Sequence, residues 1–291
     1  MAQQINLDLL RCIEELEYRY LNKLDEMIKN NISNIVSAFK RRFLIYKDWI
    51  NYLETERKRL TDLGIGAERV FWKIISNSFY DWCPVALFIG SNLFFETAEA
   101  FINIDVKTVY VDNLRDYMGL VEVGDAQTSY PMTKTYGALE PFKPKIKPYY
   151  NVNGVRKYSL AYFIQIVYEK PEIIMSMNLD QGPIAILLIS MPNGMLYDIY
   201  GDEIVRYPKS YITREGRRIR PANYRYYYSE EPCYKLLQSK PCNYRIRLYF
   251  NEKYNGYYRE GLYLRITPHI IASLKRRCNN HDCNLFYFSI S

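Results

Sequence analysis

The segment Phe101-Ile102-Asn103-Ile104-Asp105-Val106-Lys107-Thr108-Val109 decides the fold of this chain. Its β-branched and aromatic residues predict a strand, which we place at 100–111. Side chains alternate between the two faces of a strand, so Asp105 and Lys107 share one face, with backbones roughly 7 Å apart. Burying either charge among apolar neighbours costs several kcal/mol unless it is compensated. A structural ion pair and a catalytic pair both fit this pattern.

Three upstream acids could complete a site with Asp105. Asp81 lies 24 residues earlier, before the next apolar segment, and a hairpin would place it beside Asp105. Glu96 and Glu99 are rivals, but they precede Asp105 by only nine and six residues, which is short for a full hairpin. We therefore prefer Asp81.

Two carboxylates on adjacent strands would form a hard-oxygen site suited to Mg²⁺. Such a metal can bind a scissile phosphate and lower the pKa of an attacking water. Lys107 could orient that water or accept its proton. Glu68, in a helix that we predict over 67–79, is a candidate third carboxylate, and a plain exposed glutamate would look the same in the sequence.

The composition excludes several other kinds of protein. With 48% hydrophobic and 24% charged residues, the 291-residue chain is globular. Its two histidines are too few for a histidine-rich metal site or a histidine-based nuclease centre. No apolar run reaches the roughly 18 residues of a membrane span, and the N-terminus resembles no secretion signal. We expect a cytoplasmic protein that makes no membrane contact.

Other motifs add little chemistry. The sequence has no glycine-rich phosphate loop followed by Lys-Ser/Thr, so ATP use is not expected. The six cysteines are too sparse for a disulfide framework and are expected as thiols. Cys278, His281 and Cys283 could bind a structural zinc together with Cys233 and Cys242, but paired CxxC motifs are absent and we do not expect zinc.

We predict a single α/β domain over 1–291. Its three parts are a helical N-terminal subdomain (1–63), a catalytic core (64–130) and a strand-rich, DNA-binding part (131–291). No linker separates them.

Hydrophobic periodicity supports this division. Apolar residues from Leu9 to Leu44 recur at helical spacing, and 49–63 reads as a further, charged helix. Strands are predicted at 85–89, 117–123 and 184–191, whereas 158–168 fits a strand or an apolar helix.

The positive charge is concentrated late in the chain. From Arg206 to Arg277 there are 17 Lys/Arg and 5 Asp/Glu, on a chain whose net charge is +7, and 13 of the 30 tyrosines fall in the same stretch. A basic, aromatic segment indicates a polyanion partner. A solvated, strand-rich surface would have a similar composition. We expect part of the tyrosines to line a nucleic-acid cleft.

The pattern of Asp81 followed by Asp105-Val106-Lys107 on an apolar strand resembles the PD-(D/E)xK nuclease motif, with Tyr80 in place of the proline. The neighbourhood resembles the type II restriction endonucleases related to BglI and EcoRV over about residues 64–130. The similar segments are Gly66-Ala67-Glu68-Arg69-Val70, Ile104-Asp105-Val106-Lys107-Thr108-Val109, Arg115-Asp116-Tyr117, Leu120-Val121 and Gln127-Thr128-Ser129.

The resemblance implies a central mixed β-sheet flanked by helices. It also implies a prokaryotic enzyme that acts as a homodimer and cuts both strands of a short palindromic site in double-stranded DNA. It implies that Asp81, Asp105 and the backbone carbonyl of Val106 bind Mg²⁺, for which Mn²⁺ would substitute, and that Lys107 serves the attacking water. The products would carry 5′-phosphate ends. A cognate DNA methyltransferase would be a functional partner in the cell, not a physical one.

Reading a DNA sequence requires side chains that reach base edges in a groove. The first candidates follow the catalytic strand: Asp112, Asn113, Arg115, Asp116, Asp125, Gln127 and Ser129. The second group lies in the basic segment, where most cations are expected to contact phosphates. Its members are Arg214, Arg217, Arg218, Arg220, Arg245, Arg247 and Arg265.

The main functional prediction is therefore a Mg²⁺-dependent, sequence-specific DNA endonuclease. One alternative is a structure-selective repair or junction nuclease on the same core, which would depend on branched substrates. The other is a non-catalytic nucleic-acid-binding protein, which would bind with steep salt dependence and without Mg²⁺-dependent cutting.

Overall fold

The computed structural model describes residues 6–45, 63–86, 93–113, 119–133, 142–206, 211–212, 216, 218–219, 223–228, 233–238, 244–255, 257–259, 262–263 and 285–289. The α-helices are α1 (Leu7–Arg41), α2 (Gly64–Ser78), α3 (Pro171–Ser176) and α4 (Tyr197–Tyr200). Short 3₁₀ segments cover Arg42–Leu44, Gly194–Leu196, Gly201–Ile204 and Glu252–Tyr254.

The strands follow in chain order. They are β1 (Cys83–Pro84), β2 (Leu93–Glu96), β3 (Ala100–Tyr110), β4 (Val121–Val123), β5 (Tyr149–Val152), β6 (Val155–Tyr168), β7 (Ala185–Met191), β8 (Val205–Arg206), β9 (Tyr211–Ile212), β10 (Arg218–Ile219), β11 (Tyr224–Tyr226), β12 (Ile246–Asn251), β13 (Tyr258–Arg259), β14 (Leu262–Tyr263) and β15 (Leu285–Phe288).

Helix α1 is one continuous helix of 35 residues. It begins at Asn6, whose side chain accepts a hydrogen bond from the Leu9 amide at 3.1 Å and so satisfies one of the donors that a helix start leaves unpaired. Lys40 and Arg41 lie in its last turn, where positive charge is favoured. The predicted helical pattern up to residue 44 is confirmed, and the predicted helix at 49–63 lies almost entirely outside the described residues.

An eight-stranded mixed sheet forms the centre of the fold, in the order β1-β2-β3-β6-β7-β12-β15, with β5 paired to β6. Strand β3 pairs with β6 in parallel from Ala100↔Tyr158 to Tyr110↔Tyr168, so the ambiguous segment 158–168 is a strand. The remaining neighbours are antiparallel, except β12 and β15.

Of the strand predicted at 85–89, residues 85 and 86 belong to no strand, and 87–89 lie outside the described residues. The described chain on either side of 87–92 forms β1 and the unpredicted β2. The strands predicted at 117–123 and 184–191 are found as the shorter β4 and β7.

Two hydrophobic clusters cover the two faces of the sheet. On one face, α1 and α2 pack against side chains such as Ile104 and Val106 of β3. On the other face, β4, β8 and β11 form a three-stranded sheet whose tyrosines pack against Phe163 of β6. Asp105, which lies between Ile104 and Val106, therefore points away from α1. No helix among the described residues combines the length and apolar composition of a membrane span.

A buried ionic network holds α1 against the sheet. The Arg245 guanidinium donates to Glu17 Oε2 at 2.7 Å and to Glu14 Oε1 at 3.3 Å, and all three side chains are 0% exposed. The Tyr200 hydroxyl donates to Glu14 Oε1 at 2.5 Å. Burial raises the pKa of Glu17 to about 7, although the charge of Arg245 lowers it. The network fixes the rotation of α1, because both glutamates occupy its buried face.

Replacing Arg245 with Met is expected to lower the free energy of unfolding by about 3–5 kcal/mol, because two buried carboxylates lose their counter-charge. Urea unfolding followed by circular dichroism measures the change. Arg19→Met is the matched control, since Arg19 pairs with Glu99 at 2.7 Å but both side chains are about half exposed, and it should cost about 1 kcal/mol or less. Equal losses in the two variants would show that the network does not anchor α1.

Candidate active site

Strand β3 holds the Asp105–Lys107 pair at the centre of the sheet. Asp105 is 1% exposed, and Lys107 Nζ lies 2.7 Å from Asp105 Oδ2 while 27% of its own side chain stays exposed. The predicted shared face is confirmed by this contact. The carboxylate of this pair is buried, whereas its ammonium group is partly exposed and can reach a ligand.

Gln127 joins the same pair from the turn after β4. Its Nε2 donates to Asp105 Oδ1 at 3.0 Å, and its Oε1 accepts from Lys107 Nζ at 3.1 Å. The sequence indicated Gln127 as a base-reading residue, and the structure brings it to the acid–lysine pair. No local sequence pattern predicts this contact, because it joins residues that are 20 and 22 positions apart in the chain.

Gln165 is a second polar residue at this position that the sequence interpretation missed. It is the β6 partner of Lys107, and it is 2% exposed. The signal that could have revealed Gln165 was a single amide inside the apolar run of β6. From this neighbouring strand, Gln165 adds a polar group to the surroundings of Lys107.

Glu68 of α2 is electrostatically coupled to the pair. Burial and then the negative charge of Asp105 raise the pKa of Glu68, against the opposing effect of Lys107. Such repulsion between two carboxylates is what a bound cation relieves. Glu68 therefore stays a candidate metal ligand, because its ionisation responds to the charge of Asp105.

The donor set fits Mg²⁺ better than a softer metal. Among the described residues, no three His, Cys, Asp or Glu side chains form a metal-holding group. Mg²⁺ commonly uses one or two carboxylates and completes its shell with water and substrate phosphate. Asp105, Glu68 and the backbone carbonyl of Val106 would hold it.

The structure does not place Asp81 beside Asp105, so the predicted hairpin contact is wrong. Cys83 of β1 pairs with Glu96 of β2, which pairs with Phe101 of β3. Asp105 lies four residues beyond Phe101, roughly 13 Å along the strand, and Asp81 lies on the far side of Cys83. Asp81 is exposed.

The rival acids are also remote from Asp105, because β2 and β3 form a tight hairpin that the sequence interpretation considered too short. Glu96 is bound to Lys157 Nζ at 2.6 Å, and Glu99 accepts two hydrogen bonds from Arg19 at 2.7 Å. Both acids lie at the end of the hairpin that faces away from Asp105.

The candidates for base reading after β3 separate into different environments. Asp112 is ion-paired with Lys170 at 2.6 Å and Asp125 with Lys145 at 2.9 Å, and Asn113 is exposed. The candidate Ser129 is contradicted, because it is 3% exposed and its Oγ accepts from the Gly194 amide. Arg115 and Asp116 lie outside the described residues.

Two of the arginines predicted to contact DNA are buried instead. Arg245 is 0% exposed in the network with α1, and Arg247 is 3% exposed and donates to Asn22 Oδ1 at 2.8 Å. Those two predictions are wrong, since neither guanidinium reaches the surface. The backbone of Arg218 belongs to β10, and its side chain is not described. The others lie outside the described residues: Arg214, Arg217, Arg220 and Arg265.

Two solved structures with a similar fold are restriction endonucleases. The restriction endonuclease BglI, solved bound to its DNA recognition sequence, matches with a TM-score of 0.60 and 18% identity over 84% of this chain and 93% of BglI. Tetrameric SfiI, solved bound to cognate DNA, matches with a TM-score of 0.54 and 13% identity over 90% of this chain and 91% of SfiI. The predicted mixed sheet flanked by helices is thereby confirmed.

Residues 9–172 match the family of the N-terminal domain of the type II restriction enzyme MwoI, and the chain belongs to this family. It is thus of the type II deoxyribonuclease class, as the sequence resemblance predicted. No curated protein matches the sequence significantly.

Glu68→Gln is expected to weaken Mn²⁺ binding by about tenfold or more, because it removes one of two coupled carboxylates. Since the pKa of Glu68 is raised, the wild type should lose Mn²⁺ affinity as the pH falls and Glu68 takes up a proton, and the variant should lose less over the same range. Calorimetric titration at several pH values measures both effects. Glu26→Gln, which removes an exposed α1 carboxylate, is the control. Identical pH dependence in wild type and Glu68→Gln would contradict the assignment.

Proposed function

We propose that this chain is a Mg²⁺-dependent restriction endonuclease that hydrolyses double-stranded DNA within a short palindromic sequence and leaves 5′-phosphate ends. The observation that carries the proposal is the buried Asp105 carboxylate in contact with the half-buried Lys107 ammonium on one strand. Membership of a type II restriction enzyme family supports it.

The acids and the lysine have different roles in this proposal. Asp105, Glu68 and the Val106 carbonyl would hold Mg²⁺, with Mn²⁺ able to substitute. When bound, the metal would neutralise charge on the scissile phosphate and lower the pKa of the attacking water. Asp81 has no part in this set, because the sheet register separates it from Asp105.

Lys107 is placed to orient the attacking water. Its ammonium group has three N–H donors, and the contacts with Asp105 and Gln127 use two of them. The remaining donor can point to a water or to a phosphate oxygen on the open side. Anchoring by two partners limits the rotamers of a long side chain, which favours one orientation of the nucleophile.

The proposed partner is double-stranded DNA, and the proposed assembly is a homodimer. BglI and SfiI were both solved with DNA, and the basic segment of this chain provides positive charge. A two-fold symmetric protein matches a palindromic site. A cognate methyltransferase would protect the same sequence in the cell.

Asp105→Asn and Lys107→Ala are expected to reduce DNA cleavage by about 10²–10⁴-fold, with DNA binding retained, because they remove a metal ligand and the residue that orients the water. Single-turnover cleavage and gel-shift assays in Ca²⁺ measure the two properties separately.

Asp81→Asn is the matched control, since it also removes one carboxylate but far from the pair. It should cleave like the wild type. Cleavage lost in Asp81→Asn and kept in Asp105→Asn would refute the proposed site.

A further inference from the structure

The side chain of Gln127 contacts both members of the acid–lysine pair with a single amide group. Its Nε2 lies 3.0 Å from Asp105 Oδ1, and its Oε1 lies 3.1 Å from Lys107 Nζ. Lys107 Nζ also contacts the other oxygen of Asp105, Oδ2, at 2.7 Å. The three groups therefore close a ring in which each one contacts the other two.

A contact with the Gly124 backbone fixes the orientation of this side-chain amide. Gln127 Oε1 also accepts a hydrogen bond from the Gly124 backbone N–H at 2.8 Å, and the backbone N–H of Gln127 donates to the Gly124 carbonyl at 3.0 Å. A rotation of the amide by half a turn would place its NH₂ group against two N–H donors. Only one orientation satisfies every contact, and it directs a donor to Asp105 and an acceptor to Lys107.

We propose that Gln127 is a positioning residue for catalysis, which holds Lys107 in place and tunes the cation affinity of Asp105. This inference rests on the proposed function. The amide donor occupies a lone pair of Asp105 Oδ1 that a cation would otherwise use, so Gln127 weakens cation binding while it orders the lysine. A neutral amide does this without adding a further carboxylate to the site.

A merely structural role would give a different result. If Gln127 served only to close its turn, its loss would lower stability, cation affinity and cleavage together. In a positioning role, loss of the amide releases Asp105 Oδ1 toward the cation and frees Lys107 to rotate. Cation binding and catalysis then change in opposite directions, which a general loss of structure does not produce.

The test compares Gln127→Met, of similar length but without the amide, with Thr128→Val. Thr128 is 1% exposed, and its hydroxyl accepts from the Tyr130 amide at 3.0 Å, so its loss perturbs the same turn without touching the pair. The measurements are kcat and KM on plasmid DNA, Mn²⁺ titration without DNA, and thermal unfolding.

Gln127→Met should lower kcat by about 10–100-fold, leave KM for DNA unchanged and bind Mn²⁺ more tightly than the wild type. Thr128→Val should lower the melting temperature and keep kcat and Mn²⁺ affinity. An unchanged kcat in Gln127→Met, or Mn²⁺ affinity that is unchanged or reduced, overturns the inference.

Gln127→Glu provides a second variant if Gln127→Met fails to fold. It keeps the acceptor for Lys107 and Gly124, loses the donor to Asp105 and adds a carboxylate, so it should bind Mn²⁺ more tightly than the wild type. Unchanged Mn²⁺ affinity would count against the inference. A wild-type protein that cuts no DNA would refute the proposed function, whereas the Mn²⁺ titrations would still report on Gln127.

Discussion

The parallel pairing of β3 with β6 is the constraint on which the rest of this structure depends. It runs without interruption from Ala100↔Tyr158 to Tyr110↔Tyr168 and places β3 inside the sheet. A one-residue shift in register would turn Asp105 and Lys107 toward the apolar face under α1 and α2. The continuous ladder therefore fixes the direction of both charges, and Gln127 contacts both of them from the turn after β4.

Much of the fold could be predicted because its signals are local. The helical spacing in α1, the apolar runs of β3 and β7, and the alternation that joins Asp105 to Lys107 each depend on a few neighbouring residues. The position of Asp81 depended instead on which segment pairs with β3. The short strand β2 pairs with β3 through a tight hairpin. A strand of four residues is too short to be predicted from periodicity in the sequence.

The basic, tyrosine-rich segment shows why composition alone misplaces a binding surface. Arg245 and Arg247 carry charge in the sequence, but they serve the buried contact with α1. Many tyrosines expected to line a cleft are core residues, including Tyr224, Tyr226, Tyr228 and Tyr234, each 0% exposed. Their hydroxyls find partners inside, as when Tyr224 donates to the Tyr130 carbonyl at 2.9 Å. Burial of these groups depends on long-range packing, and the number of charged residues in a segment does not show which of them are buried.

The proposed nuclease combines membership of a type II restriction enzyme family with one chemical pair, Asp105 and Lys107, and with the residues Glu68 and Gln127. The most direct test is digestion of a sequenced plasmid by the purified protein with and without Mg²⁺, followed by mapping of the fragment ends. Discrete fragments are expected only with Mg²⁺, and they should carry 5′-phosphates at one recurring palindromic sequence. Binding of DNA with no cutting, or cutting that persists in a metal chelator, would refute the proposed function.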